Sequence, residues 1–288
     1  MASQDVKVRI VREDGQEFIL DNTLWMIPSD GLDGWDYVTN TISYEDKAFG
    51  DGGILSSERV GIQDRTIKAY MYNKNLLSIL RDTCISFFGV KHTFKVYLTY
   101  QGRTRWCEGS LYKFSLPNKN IYKRLELQFT IRCVQPYLLS EDEFGQDIAQ
   151  IIPKFGFPYI SRMNKGFIFS HYKFASEVLL ENNGDVETYP KIVIIAKGNV
   201  KNPIIYKDDK FIKILDTLKS GDVIVIDLTS TPATVKKNNV NIIGKTSRDS
   251  SFYDLKFDIG TNTIKFNADE GVNLLGVTIY YNQRYVGI

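Results

Sequence analysis

IYKRLELQFTIRCVQPYLLS, Ile121 to Ser140, alternates. Leu125, Leu127, Phe129, Ile131 and Cys133 fall on one side, and Arg124, Glu126, Gln128, Thr130 and Arg132 on the other. Period two is the pattern of a strand with one buried and one polar face. Phe129, Thr130 and Ile131 also favour pleated backbone. Gln135-Pro136 follows, and proline cannot donate to a ladder. The sheet is therefore expected to stop there and the chain to leave it through Glu141-Asp142-Glu143. This makes 125–133 the last full strand of a first domain, residues 1–140.

The earlier residues supply its partners. Val6 to Ile10 and Glu17 to Leu20 flank Asp14-Gly15 as strand, turn, strand. Leu24 to Ile27 is a short apolar piece ended by Pro28, and Val38 to Tyr44 and Arg65 to Tyr72 alternate. Asn73-Lys74-Asn75 is expected to cap a helix, Leu76 to Phe87, with Gly89 as its stop. Leu76, Leu77, Leu80, Cys84 and Phe87 or Phe88 form its apolar stripe, while Lys74, Arg81 and Asp82 face away. Thr93 to Tyr100 and Arg103 to Phe114 form a hairpin around Gln101-Gly102. A two-residue turn opposes Tyr97 to Trp106 and a three-residue turn Leu98 to Trp106; both registers stay open.

Past Ser140, residues 141–152 read as a linker, and residues 153–288 have a different texture. Short strands are expected at Glu177 to Leu180, Lys191 to Ala196, Pro203 to Lys207, Phe211 to Leu215, Asp222 to Leu228, Thr234 to Lys236, Asn239 to Ile243, Asp254 to Phe257, Thr263 to Phe266 and Gly276 to Tyr281. Turn residues separate them, among them Asn183-Gly184, Ser220-Gly221 and Glu270-Gly271. Many short strands without a helical pattern argue for a β-sandwich. The fold class is mainly β, two domains, with one helix in the first half.

Chemistry is sparse. Net charge is +2, so no strong field argues for nucleic acid or an anionic surface. The N-terminal MASQDVKVRIVRED has no apolar core of the kind a leader carries, and no run approaches a membrane span. Cys84, Cys107 and Cys133 have no metal-like spacing. With only His92 and His171, a histidine metal cluster or a catalytic triad has little material. Glu141-Asp142-Glu143 and Asp208-Asp209 read as solvated turn charge, since a glycosidase pair is held apart across a cleft. The expectation is no enzyme, no cofactor and no metal, but assembly or recognition.

The sequence resembles the distal tail proteins of long-tailed (siphophage-type) bacteriophages. In the first domain Asp64-Arg65-Thr66-Ile67, the helix, the hairpin and the strand ending Gln135-Pro136-Tyr137 carry the resemblance. In the second it rests on Asn183-Gly184-Asp185 before Tyr189-Pro190-Lys191-Ile192, on Ser220-Gly221-Asp222-Val223-Ile224 and on Gly260-Thr261-Asn262-Thr263-Ile264. It implies a tail-tube-like β-sandwich domain that closes as a homo-hexamer ring, and a peripheral galectin-like β-sandwich. It implies a structural hub in the virion, at the tail tip or baseplate, made in the host cytoplasm. Its implied partners are the tail tube protein, the tail-associated hub/lysin protein, the tape measure protein and receptor-binding proteins. DNA only passes through the lumen, and nothing enters a membrane. The resemblance leaves Val277 to Tyr281 either completing the sandwich or returning to the first domain.

A closing ring needs head-to-tail contacts. Lys47 to Ser57, KAFGDGGILSS, reads as a glycine-bearing loop; its glycines precede Ile54-Leu55 and a strand, not the helix a phosphate cradle opens. Ala48, Phe49, Gly50, Asp51, Gly52 and Gly53 are its candidate inter-subunit residues. The alternative, from another class, is a carbohydrate-binding adhesin acting through the second β-sandwich.

Overall fold

The computed structural model describes residues 6–21, 23–71, 76–117, 125–141, 144–147, 149–153, 170–174 and 177–288. Two compact units emerge, Met1–Glu141 with Arg284–Ile288, and Asp142–Gln283.

The first unit is an antiparallel sheet in the order Glu17–Leu20, Val6–Arg12, Thr93–Tyr100, Arg103–Ser115, Leu125–Cys133, Gln63–Met71 and Leu32–Asp33. Leu125–Cys133 lies inside it, with Leu125, Leu127, Phe129, Ile131 and Cys133 buried as their alternation requires. The hairpin takes the two-residue register, Tyr97 opposite Trp106. Gln101 and Gly102 both have positive φ, 49° and 77°, the combination that matches the twist of the flanking strands.

Pro136 breaks the ladder, but the chain does not leave the sheet. Leu138–Ser140 rejoins it beside Arg105 and Trp106 and takes Arg284–Tyr285 on its other side. Arg65, wholly buried, holds the break by donating from Nη2 to the Pro136 carbonyl at 2.7 Å. The last residues stay with this unit. Ile288 N–H donates to the Trp35 carbonyl at 3.1 Å, and Arg105 donates to the Gly287 carbonyl while stacking on Tyr285 at 3.5 Å. A Cβ on Gly287 would meet the Asp36 carbonyl oxygen at 2.8 Å, so glycine permits that approach.

The helix, Leu77–Phe87, buries Cys84 and Phe87, with Leu77 and Leu80 packed against the same core. Phe88 follows it into an aromatic cluster, 4.7 Å from Phe129 and 5.0 Å from Phe87 between ring centroids. The expected capping residues Asn73 to Asn75 lie outside the described residues; Leu76 is the N-cap and makes no side-chain capping bond. Arg81 does not simply face away: it donates to the Leu116 carbonyl at 3.0 Å. The helix stops before Gly89, where Phe88 N–H bonds the Cys84 carbonyl. Arg12 donates to the Ser86 and Phe87 carbonyls there, a cation at the negative end of the helix.

The second unit is a β-sandwich. One sheet runs Phe144–Asp147, Leu275–Tyr281, Lys191–Ala196, Val223–Asp227, Thr234–Lys237 and Val240–Asn241. The other runs Glu177–Asn182, Gly260–Glu270, Val200–Lys207 and Lys210–Lys213, with Thr217–Leu218 added to Val200–Lys207. Ile192, Ile194, Ile224, Ile226, Val277 and Ile279 from the first sheet share one buried core with Leu180, Ile205, Ile212, Ile264 and Phe266 from the second. Val277 to Tyr281 thus completes this sandwich, and the return to the first unit is made by the residues after it.

Several expectations change. The linker, 141–152, contains the strand Phe144–Asp147, paired to Tyr281–Thr278, and most of Ala149–Pro153, paired to Phe174–Ser170. Asp254 to Phe257 is a 3-10 turn, Tyr253–Leu255, followed by one bridge from Phe257 to Thr188. Asn239 to Ile243 keeps only Val240–Asn241 as strand, because Asn238 and Asn239 turn with positive φ before it and a 3-10 turn, Ile243–Lys245, follows it. Most of the opening of the expected second domain, residues 154–169, lies outside the described residues.

Candidate functional site

The titratable groups resolve into structural pairs. His92 Nδ1 lies 2.8 Å from Glu13 Oε1, and that hydrogen bond, with one from Thr93 N–H, lowers the Glu13 carboxyl pKa. Cys84 is buried on the helix, and burial pushes its thiol up to about 12, so it stays protonated and unreactive. Asp208 and Asp209 sit in a turn beside Lys207 and Lys210, and Glu141 beside Arg9. The His171 side chain, Asp142 and Glu143 lie outside the described residues. Among the described residues no group of His, Cys, Asp and Glu could hold a metal, and no helix is long and apolar enough to cross a membrane.

The feature that stands out is an arm. Asn40–Asp46 and Gly53–Val60 pair with each other and, among the described residues, with no other strand. Asn40–Asp46 is exposed throughout, as is Gly53–Val60 up to its last residue. An eight-residue strand at ~3.3 Å per residue reaches about 26 Å. The expected loop, Lys47 to Ser57, is therefore only a tip, residues 47–52; Gly53 to Ser57 belong to the returning strand. Lys47 N–H bonds the Gly52 carbonyl across the tip. Gly50 and Gly52 take φ of 85° and 88°, which a side chain would resist. Phe49 at the tip is 93% exposed. Sequence reasoning found the tip through its glycines and read part of each strand, Val38 to Tyr44 by its alternation and a strand around Ile54-Leu55, but not that the two pair with each other as an arm.

The arm's faces differ. Tyr44 stands opposite Leu55, and Ile42 is two residues from Tyr44, after a register shift between Ser43 and Tyr44. Directly opposed and alternate residues share a face, so Ile42, Tyr44 and Leu55 lie on one side, next to the Asn40–Glu58 pair, since Glu58 stands opposite Ile42. All three are exposed, Tyr44 at 68%. Asn40 to Glu58 and Ser56 to Glu45 hydrogen bonds tie the two strands together. An isolated two-stranded hairpin is at best marginal in water, so the arm's order depends on its root and on whatever covers its apolar side.

Gln63 makes the root. Only 6% exposed, it accepts from Thr39 N–H at 3.1 Å and donates from Nε2 to the Thr39 and Gly61 carbonyls. One amide thus pins both legs of the arm where they leave the sheet. No motif announced Gln63; its only signal is a polar residue at an inward position of the strand Gln63–Met71.

Residues 183–285 match the family profile described as the siphovirus-type tail component, C-terminal domain. The crystal structure of the Dit (gp 19.1) protein of phage SPP1, described as a paradigm of hub adsorption apparatus in phages infecting Gram-positive hosts, shares the fold of the chain. Its TM-score is 0.66 at 12% identity, covering 96% of this chain and 98% of that one. A chain of the phage P2 baseplate in its activated conformation with Ca has a TM-score of 0.52 at 11% identity, covering 99% and 100%. No protein of curated function matches.

Proposed function

From a chain that carries the C-terminal domain of the siphovirus-type tail components, we infer a structural, non-enzymatic hub at the distal end of a phage tail or tail-like particle. Six copies close as a ring that joins the tail tube to the baseplate and the host-recognition apparatus. The observation that carries this reading is the fold likeness to the SPP1 Dit protein, which spans both units. The arm supplies a physical means: an apolar strand face and an open edge are satisfied when a neighbour lies against them. The ring docks on the tube protein on one side and on the tail-associated hub protein on the other, with receptor-binding proteins at its periphery. The tape measure protein and then DNA pass its lumen.

The test is the solution mass of the purified chain by light scattering, with negative-stain images of the same fraction. The expected species has six times the 33.0 kDa of one chain and six-fold views, alone or once tube and hub proteins are added. A stable dimer that forms no ring with those partners overturns the reading.

A further inference from the structure

Behind the break at Pro136 the first unit buries a cation without an acid. Arg65 is wholly buried; its Nη2 bonds the Pro136 carbonyl, and its Nε and Nη1 find no hydrogen-bond partner among the described residues. The adjacent carboxylate does not serve it. Asp64 is turned to the opposite face of the strand and takes two 2.7 Å bonds from Arg132. A buried charge left uncompensated is among the costliest features a core can hold. Two thiols share the face of Arg65. Gln63 stands opposite Cys133, so Arg65, two residues on, lies diagonal to Cys133 on the neighbouring strand. On the strand to the other side, a Cβ at Gly109 would meet the Cys133 sulfur at 3.1 Å. Cys107, two residues from Gly109, is buried on that same face. Cys107, Cys133 and Arg65 therefore sit on three adjacent strands, with Cys133 in the middle.

We propose that Cys133 is the counter-ion of Arg65, carried as a thiolate at neutral pH with the Cys107 S–H donating to it. Cys133 takes the charge because its strand adjoins that of Arg65, while Cys107 lies one strand further away. A cation beside a thiol favours the thiolate. The hydrogen bond from Cys107 and, against the opposing effect of burial, the Arg65 charge lower the Cys133 thiol, whereas burial pushes Cys107 up. Asp64 is the charged group that acts the other way on Cys133. The result is a pH-sensitive lock. Arg65 fixes the chain where it rejoins the sheet, so protonating Cys133 strips the counter-charge from the residue that holds this crossing. Cys133 titrates lower folded than unfolded, where a thiol has a pKa of ~8.5. Its stabilisation of the first unit is thus complete above about pH 8.5 and is lost as pH falls through the folded value. The lock is independent of the ring reading.

Ultraviolet thiolate absorbance of the full chain, followed with pH, tests it. One thiolate is expected at about pH 7, where an ordinary thiol is almost wholly protonated. It persists in Cys84→Ser and Cys107→Ser and vanishes in Cys133→Ser. Should Cys133→Ser not fold, NMR of isotope-labelled cysteine in the unaltered chain gives the same reading, with Cys133 assigned by elimination from the other two variants. Arg65→Met raises the proton affinity of Cys133 by ~10-fold or more, the scale of losing an adjacent opposite charge. No thiolate at about pH 7, a thiolate on Cys84 or Cys107 instead, or a Cys133 titration that Arg65→Met leaves in place overturns the proposal.

Discussion

Phe88 shows how much one residue holds. It is buried among Phe18, Phe87, Phe94, Phe114 and Phe129, joining the helix end to the sheet. Phe88→Ala is expected to cost the first unit about 3–5 kcal/mol, read as a fall in the urea midpoint, because the cavity cannot fully collapse. Charge acts at this scale too. The Arg12 guanidinium holds the Asp14 carboxyl down at about 2, and the Lys219 backbone N–H, with Asn238 and Lys237, does the same for Asp222. Both carboxyls titrate lower folded than unfolded. Their stabilisation is complete above about pH 4 and is lost as pH falls towards 2. The urea midpoint should drop across that window, and Asp222→Asn should flatten the drop in the second unit's transition.

The arm belongs to the scale of elements. Deleting Ala48 to Gly53, or changing Leu55→Asp on its apolar face, should leave a folded chain that assembles poorly. Fully burying a side chain of this size is worth ~1.5–3 kcal/mol, so its loss at each ring contact weakens assembly by roughly an order of magnitude or more. Light scattering reads the outcome, and unchanged ring assembly refutes the arm's role. Gln63→Leu should act differently: the sheet persists, while amide exchange at Thr39 and along the arm quickens because both legs lose their shared anchor. The glycines made the arm's tip legible in sequence. Its strands were half-read, since Val38 to Tyr44 alternates but the structure buries neither face of Asn40–Asp46. Alternation reports a strand, not what covers it.

At the scale of the molecule, the first unit is closed by residues far from it in sequence. Removing Arg284 to Ile288 takes away the strand beside Leu138–Leu139 and the bond to the Trp35 carbonyl. Calorimetry should show the first unit's transition fall while that of the second, whose last strand ends at Tyr281, holds its temperature.

The sequence alone determined what is local: the alternation of Leu125 to Cys133, the helical stripe through Cys84 and Phe87, and the turns at Gly102, Gly221 and Gly271. Backbone sterics and side-chain period act within a few residues, so they can be read without neighbours. Tertiary structure decided how the chain rejoins its sheet after Pro136, which unit takes the C-terminus, that residues 144–147 are strand, and that one glutamine roots the arm. These depend on which edges meet and on which buried polar groups must find partners. Such contacts join residues from 24 positions apart, Gln63 and Thr39, to 182, Arg105 and Gly287, and no periodicity in the chain encodes them.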